Sequence, residues 1–233
     1  MNTLQQIEQT YNFKYPALYH QLFEDKMLDW KHCSPKKWIE FVYPKLKKTP
    51  PLLLYGYEFE VMSFSDISKQ IDDFANPKSC WGFSSSHFFV PFATDWLRDY
   101  FCFFFDEENP KEEPIIVFLC YDCIEGTFIA NNLQEFIFYG LLYAVFDVEN
   151  HSLIHNSDFY ENIHNMFCTH RPYLTDEQAE VIQEIYERKL FKHIYRYGNN
   201  GRGGQWSKEC IGLISREEFE TLRDKFIPIP KEW

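Results

Sequence analysis

Apolar positions recur along the chain first at helical spacing, then in alternation, then at helical spacing again. Residues 2–12 and 16–31 read as two helices. In the second, Leu18, Leu22 and Met27 with Tyr19 and Phe23 form a stripe at i, i+4 spacing, the repeat that lines one helix face. Pro16 suits a first helical turn, where a missing N–H costs nothing. Ser34 followed by Pro35 starts a third helix in the same way, and Pro44 should end or kink it. In "TPPLLLYGYEFEVMSF", Tyr57, Phe59 and Val61 alternate with Glu58 and Glu60, predicting a strand with one wet face.

The middle of the chain predicts strand after strand, at 87–93, 99–106, 113–121 and 125–131, joined by the polar turns "DEENPKEE" and "DCIEG". In "YFCFFF" both alternating sets are apolar, Phe101, Phe103 and Phe105 against Tyr100, Cys102 and Phe104. That strand should be central and covered on both sides. Helices before and after the sheet would cover one face. The other would need the C-terminal extension or another molecule. Asn132 and Glu135 resemble a capping box ahead of the stripe Leu133, Phe136, Ile137, Leu141, Ala144, Val145 and Val148. Thr175 with Gln178 opens a helix whose stripe Ile182, Tyr186, Leu190 and Ile194 runs to Gly198. Ser215 with Glu218 opens another, carrying Phe219, Leu222 and Phe226.

This order predicts an α+β fold. N-terminal helices precede a central antiparallel sheet of about five or six strands and a covering helix. The division expected is a domain over 1–149 and a mainly helical extension over 150–233 packed on the core, since no Gly/Ser/Pro-rich linker separates them.

Composition narrows the class. With 45% hydrophobic and 19% aromatic residues the chain can bury a real core. The N-terminus lacks a basic region leading into an apolar one, and the longest apolar run, "FIFYGLLYAVF", is too short to cross a bilayer. With seven cysteines, an odd number, the expectation is a cytoplasmic protein with free thiols and no membrane partner. The net charge of −12 is concentrated. Residues 55–150 carry seventeen acidic and four basic side chains, while residues 1–54 are net +3. Like charges repel, so the charge argues against direct binding of nucleic acid by the middle segment; it is compatible with a basic protein partner, but by itself it favours a solvated acidic surface that only aids solubility.

Motifs that could carry chemistry are sparse. Cys120 and Cys123 have C-x-x-C spacing, but at a strand end, without a second pair for zinc or a helix start for redox work. His151, His155, His164 and Cys168, in "HSLIHNSDFYENIHNMFCTH", have spacings that put two ligands on one helix face and are the weaker, zinc-binding alternative. No glutamate completes H-E-x-x-H, so a zinc hydrolase would lack its general base. "GNNGRGG" lacks the G-K-[ST] of a P-loop, and no serine sits in a G-x-S-x-G elbow. No catalytic residue and no cofactor are expected.

Residues 7 to about 145 resemble the SUKH superfamily of Smi/Knr-type proteins. "IEQTYNFKYPALYHQLF" resembles its opening helix, proline and second helix, with Tyr15 where leucine commonly precedes the proline. "FFVPFATD" resembles the strand ending in a P-hydrophobic-A-x-D step, matched by Pro91, Ala93 and Asp95. "DYFCFFFD" and "PIIVFL" resemble the next two strands, and "FIANNLQEFIFYGLL" the closing strand and helix, with Ala130, Leu133 and Phe136 in place. The glycine common after that aspartate is replaced by "WLR", and residues 150–233 have no counterpart in the short family core.

The resemblance implies a non-enzymatic immunity protein that binds and neutralises a cognate bacterial toxin, often a nuclease or another nucleic-acid-directed effector. A regulatory interaction module without a toxin is the alternative, and a zinc-dependent enzyme ranks last. Acidic residues crowd two turns, Asp95 and Asp99 in one, Asp106, Glu107, Glu108, Glu112 and Glu113 in the next. Such carboxylates would steer a basic partner, with Trp96 as an aromatic anchor between them.

Overall fold

A computed structural model describes residues 3–56, 58–76, 78, 79, 81, 83, 87–95, 97–106, 113–121, 126–148, 158–197 and 206–229. The fold is α+β. Helices α1 (Thr3–Tyr11) and α2 (Ala17–Glu24) begin it, and α2 is shorter than its apolar stripe suggests. Glu8 joins the two. Its buried carboxylate accepts the Tyr15 N–H at 2.9 Å and meets His20 at 3.0 Å. Burial works to raise this carboxyl, but those bonds outweigh it and hold it below its usual range. The third helical run starts at Pro35 as α3 (Pro35–Lys37), loosens into a π-helical turn over Trp38–Val42 and ends as α4 (Tyr43–Leu46). Pro44 sits at this irregularity, where its missing N–H and ring prevent a regular α ladder.

The loop after the prolines is interior. Leu52, Leu53, Leu54 and Tyr55 are essentially inaccessible. A buried loop must satisfy its own amides. Here the Leu52 N–H donates to Met27 O (2.8 Å), Leu53 N–H to His170 Nε2 (2.9 Å) and Gly56 N–H to Leu53 O (2.6 Å). Two non-glycine residues of this loop are left-handed, Leu53 (φ 48°) and Glu58 (φ 50°). The turn at Glu58 cuts the strand expected around Phe59 and Val61 down to β1 (Glu60–Val61), and Tyr57 lies outside the described residues. Helix α5 (Phe64–Phe74) follows, which the alternation did not signal; the Ser63 side chain accepts the Asp66 N–H at its start.

Strands β2 (His87–Thr94), β3 (Tyr100–Asp106), β4 (Ile115–Leu119) and β5 (Gly126–Ala130) complete one antiparallel sheet in the order β1-β2-β3-β4-β5. A bulge between Pro91 and Ala93 interrupts β2, where proline cannot donate to the ladder. As its two apolar faces require, β3 is central and covered twice. Phe101, Phe103 and Phe105 meet α6 (Leu133–Tyr143) and the N-terminal helices: Phe101 and Phe136 rings are 5.4 Å apart, Tyr19 and Phe103 5.2 Å. The opposite face, with Phe89, Cys102 and Val117, is covered by Phe74 of α5 and by Trp81 and Phe83 beyond it. The expectation that the C-terminal extension or another molecule covers that face is therefore corrected. The missed helix α5 supplies the cover.

The C-terminal segment lies behind α6 instead. It comprises α7 (Phe159–His170), a 3-10 turn at Arg171–Tyr173, α8 (Asp176–Tyr186), a hairpin of β6 (Phe191–Tyr197) and β7 (Trp206–Gly212), and α9 (Arg216–Phe226). Past Gln134 and Glu135 of its first turn, helix α6 is apolar on every face, as a helix packed on more than one side should be. Its Phe138 meets Phe226 at 4.8 Å, and the Tyr186 hydroxyl donates to Leu141 O at 2.9 Å. The helix predicted to run to Gly198 stops at Tyr186. Leu190 and Ile194 continue its spacing, but residues 191–197 pair with β7, and segment 145–148 joins β7's other edge through Val148 N–H to Ile211 O and Leu213 N–H to Val145 O, both 2.8 Å. Among the described residues no helix is long and apolar enough to cross a membrane.

Candidate functional site

The described acids singled out in the sequence do not form one surface. Asp95 and Asp99 precede β3 and Asp106 ends it, so its seven residues separate them by roughly 20 Å. At one end, Asp95 and Asp99 are only 8% and 7% exposed. Asp95 Oδ1 accepts the backbone N–H of Leu97 (2.8 Å) and of Asp99 (2.9 Å), and Asp99 Oδ1 accepts the Tyr121 N–H (2.7 Å). The Asp95 N–H donates to Asp99 O at 3.1 Å, and the Thr94 hydroxyl donates to the same oxygen at 2.9 Å. These carboxylates build the turn and tie it to the end of β4. Arg98 accepts a left-handed backbone (φ 70°) to close it. At the other end Asp106 is half-buried and Glu113 exposed. Trp96, Glu107, Glu108 and Glu112 lie outside the described residues.

The turn carries an apolar surface that acid counting did not find. Leu97 and Tyr121, joined through Asp99, are each 56% exposed. Trp81, half-buried, stands 5.7 Å from the Tyr121 ring.

Beside the turn, under the sheet, is a cavity of about 220 Å³. Phe101, Phe118 and Ile129 of the sheet form its floor, Phe136, Tyr139 and Tyr143 of α6 one wall, and the buried 53–59 loop the other, with Asp95 at the edge. Close approach makes this wall. A β-carbon at Gly140 would stand 2.5 Å from the Leu53 side chain, so glycine lets the loop meet the helix. Glu58, half-buried in its left-handed turn, brings a second carboxylate. Burial raises the Asp95 carboxyl above its usual range, with the charges of Asp99 and Glu58 adding to that, against the two amide bonds that lower it. Burial also raises the Tyr143 phenol, and Glu58 adds to that shift. Glu58 was legible only as the wet side of a strand; nothing in its local pattern announces the turn that redirects it.

A second, shallower hollow of about 570 Å³ lies across β1. Four of its charged groups pair with one another, His32 with Glu60 (3.3 Å) and Lys69 with Asp66 (3.0 Å), and Arg98 lines it as well.

The zinc alternative gains little geometry. His164 Nε2 and Cys168 Sγ are 3.5 Å apart on the exposed side of α7, while His151 and His155 lie outside the described residues. Among the described residues no three His, Cys, Asp or Glu side chains are placed to hold a metal. Cys120 is half-buried and Cys123 is outside the described residues. The buried His170 is structural: Nε2 accepts the Leu53 N–H, Nδ1–H donates to Met166 O at 2.7 Å, and burial lowers its pKa to about 4.

No protein-family model, no curated protein and no solved structure matches this chain.

Proposed function

We propose that this chain is a non-enzymatic immunity protein of SUKH type, which neutralises a cognate bacterial toxin by direct contact with a basic partner surface. The order of elements that carries the resemblance, from α1 through the sheet to α6, supports the reading. The observation that carries it furthest is the 95–99 turn. Its backbone is held by its own carboxylates, and it presents Leu97 and Tyr121 to solvent in an acidic part of the chain. Tyrosines such as Tyr121 are among the commonest hot spots of protein interfaces, an apolar neighbour such as Leu97 helps exclude water around one, and surrounding acids raise the association rate of a basic partner. Asp106 ends β3 on the far side from the turn, and the acids that follow it in sequence, Glu107, Glu108, Glu112 and Glu113, act by steering.

The test is association and dissociation kinetics with the toxin domain encoded beside this gene. Tyr121→Ala should speed dissociation about tenfold or more, the range of interface hot spots, and Leu97→Ala should speed it by less. Neutralising Glu107, Glu108, Glu112 and Glu113 together should slow association at low salt and leave dissociation unchanged. Tight binding indifferent to Leu97 and Tyr121 would move the interface elsewhere. An isolated gene with no toxin neighbour would favour the regulatory module.

A further inference from the structure

The cavity under the sheet has walls of one chemical kind. Its lining combines the rings of Phe59, Phe101, Phe118, Phe136, Tyr139 and Tyr143 with two carboxylates, and among the described residues no Lys, Arg or His lines it. Aromatic faces carry negative quadrupoles, so rings and acids attract the same thing, a cation with an apolar stem. Volume limits that cation. Drug-sized ligands occupy roughly 300–1,000 Å³, whereas 220 Å³ admits a group the size of one long side chain. We propose that this cavity binds an alkylammonium group of about the length of a lysine side chain, its stem on the rings and its head between Glu58 and Asp95.

The charge balance supports this. Glu58 and Asp95 repel each other across the site, and burial adds to the cost of ionising Asp95. A cation between them relieves both. Arg216, whose charge acts on Tyr139 and Tyr143, is engaged elsewhere, and Arg98 of the turn lines the hollow across β1 instead. Arg216 pairs with Glu220 at 2.6 Å and lies over the rings of Tyr195 and Phe219. Among the described residues, the side-chain bonds to Asp95 go to Oδ1, which leaves Oδ2 for the site. Leu53 is held in its left-handed conformation with its N–H on His170 Nε2 and its side chain against Gly140, so this wall is formed without a ligand. This inference does not depend on toxin binding and survives if that reading fails.

The experiment is NMR titration of the full-length protein, following the methyl signals of Leu53 and Ile129. The probes are n-butylammonium, Nα-acetyl-lysine N-methylamide and neutral 1-pentanol. Butylammonium should shift both signals saturably and bind at least about tenfold more tightly than 1-pentanol. Glu58→Gln should weaken butylammonium about tenfold while leaving 1-pentanol unchanged. Ile129→Trp, which fills the cavity from the edge strand, should abolish the Leu53 shift with butylammonium and with 1-pentanol alike, without loss of melting temperature. If acetyl-lysine amide binds as well as butylammonium, the cation comes from a polypeptide. If only butylammonium binds, it is a free amine. Equal affinity for butylammonium and 1-pentanol, or ammonium binding that Glu58→Gln leaves unaltered, overturns the proposal.

Discussion

The Leu53 N–H donates to His170 Nε2 at 2.9 Å, across 117 positions of sequence. The bond stitches the buried loop that walls the cavity to the C-terminal half of the chain. It requires a neutral imidazole, because an imidazolium nitrogen cannot accept.

A pH dependence follows. Folding lowers the His170 pKa from 6.5 to about 4, so the unfolded chain takes up a proton that the folded one refuses. The stability from this group is fully present above about pH 6.5 and drains away as pH falls towards 4, a loss of about 3 kcal/mol. Urea unfolding at pH 7 and pH 4.5 should show it as a difference between wild type and His170→Gln. The variant should lose less stability on acidification, though it starts lower at pH 7. Equal acid sensitivity of the two proteins would show that His170 titrates normally.

Asp95 holds two amides of the 95–99 turn. Asp95→Ala should leave both short of an acceptor and cost about 2 kcal/mol, read as a lower melting temperature. Asp95→Asn keeps an acceptor oxygen and removes the buried charge, so it should unfold within about 1 kcal/mol of wild type. If alanine and asparagine are equally destabilising, the charge rather than the amide bonds holds the turn.

Gly212 closes β7 against the segment after α6. A β-carbon there would stand 2.2 Å from Phe146 O and 2.7 Å from Val145 O, both backbone atoms that cannot step aside. Gly212→Ala should therefore destabilise by about 3 kcal/mol or prevent folding. Chemical unfolding of the variant, or its recovery in the insoluble fraction, measures this.

The C-terminal segment buries one flank of α6, with Ile182, Tyr186 and Phe219 all in the main core. A chain ending at residue 148 should expose that flank and be insoluble, or molten with strong binding of a hydrophobic dye. A truncated chain that is a soluble monomer with a sharp thermal transition would show that the first 148 residues fold alone.

The exposed His164–Cys168 pair should not sustain a structural metal. Purified protein is expected to contain no stoichiometric zinc and to keep its melting temperature in chelator. One zinc per chain, lost together with stability in His164→Ala, would restore the metal reading.

The sheet was legible in the sequence because side chains alternate between faces, so two apolar faces in β3 mean a central strand whatever covers them. Helix α6 was legible too, since an apolar run with a cap at Asn132 has few other outcomes. What covers each face was not legible. That choice lies between elements far apart in sequence, and α5 took the place expected of the C-terminal segment because it docks directly on β2. Leu190 and Ile194 fit a helix as well as a strand, and only pairing with residues 206–212 decided between them. Composition likewise revealed the acids but not their direction. Asp95 and Asp99 turn inward because nearby amides need acceptors, and Glu58 reaches the cavity through a left-handed turn that the buried loop around Leu53 imposes. Local periodicity determined which residues share a face; contacts made only on folding decided what each face meets.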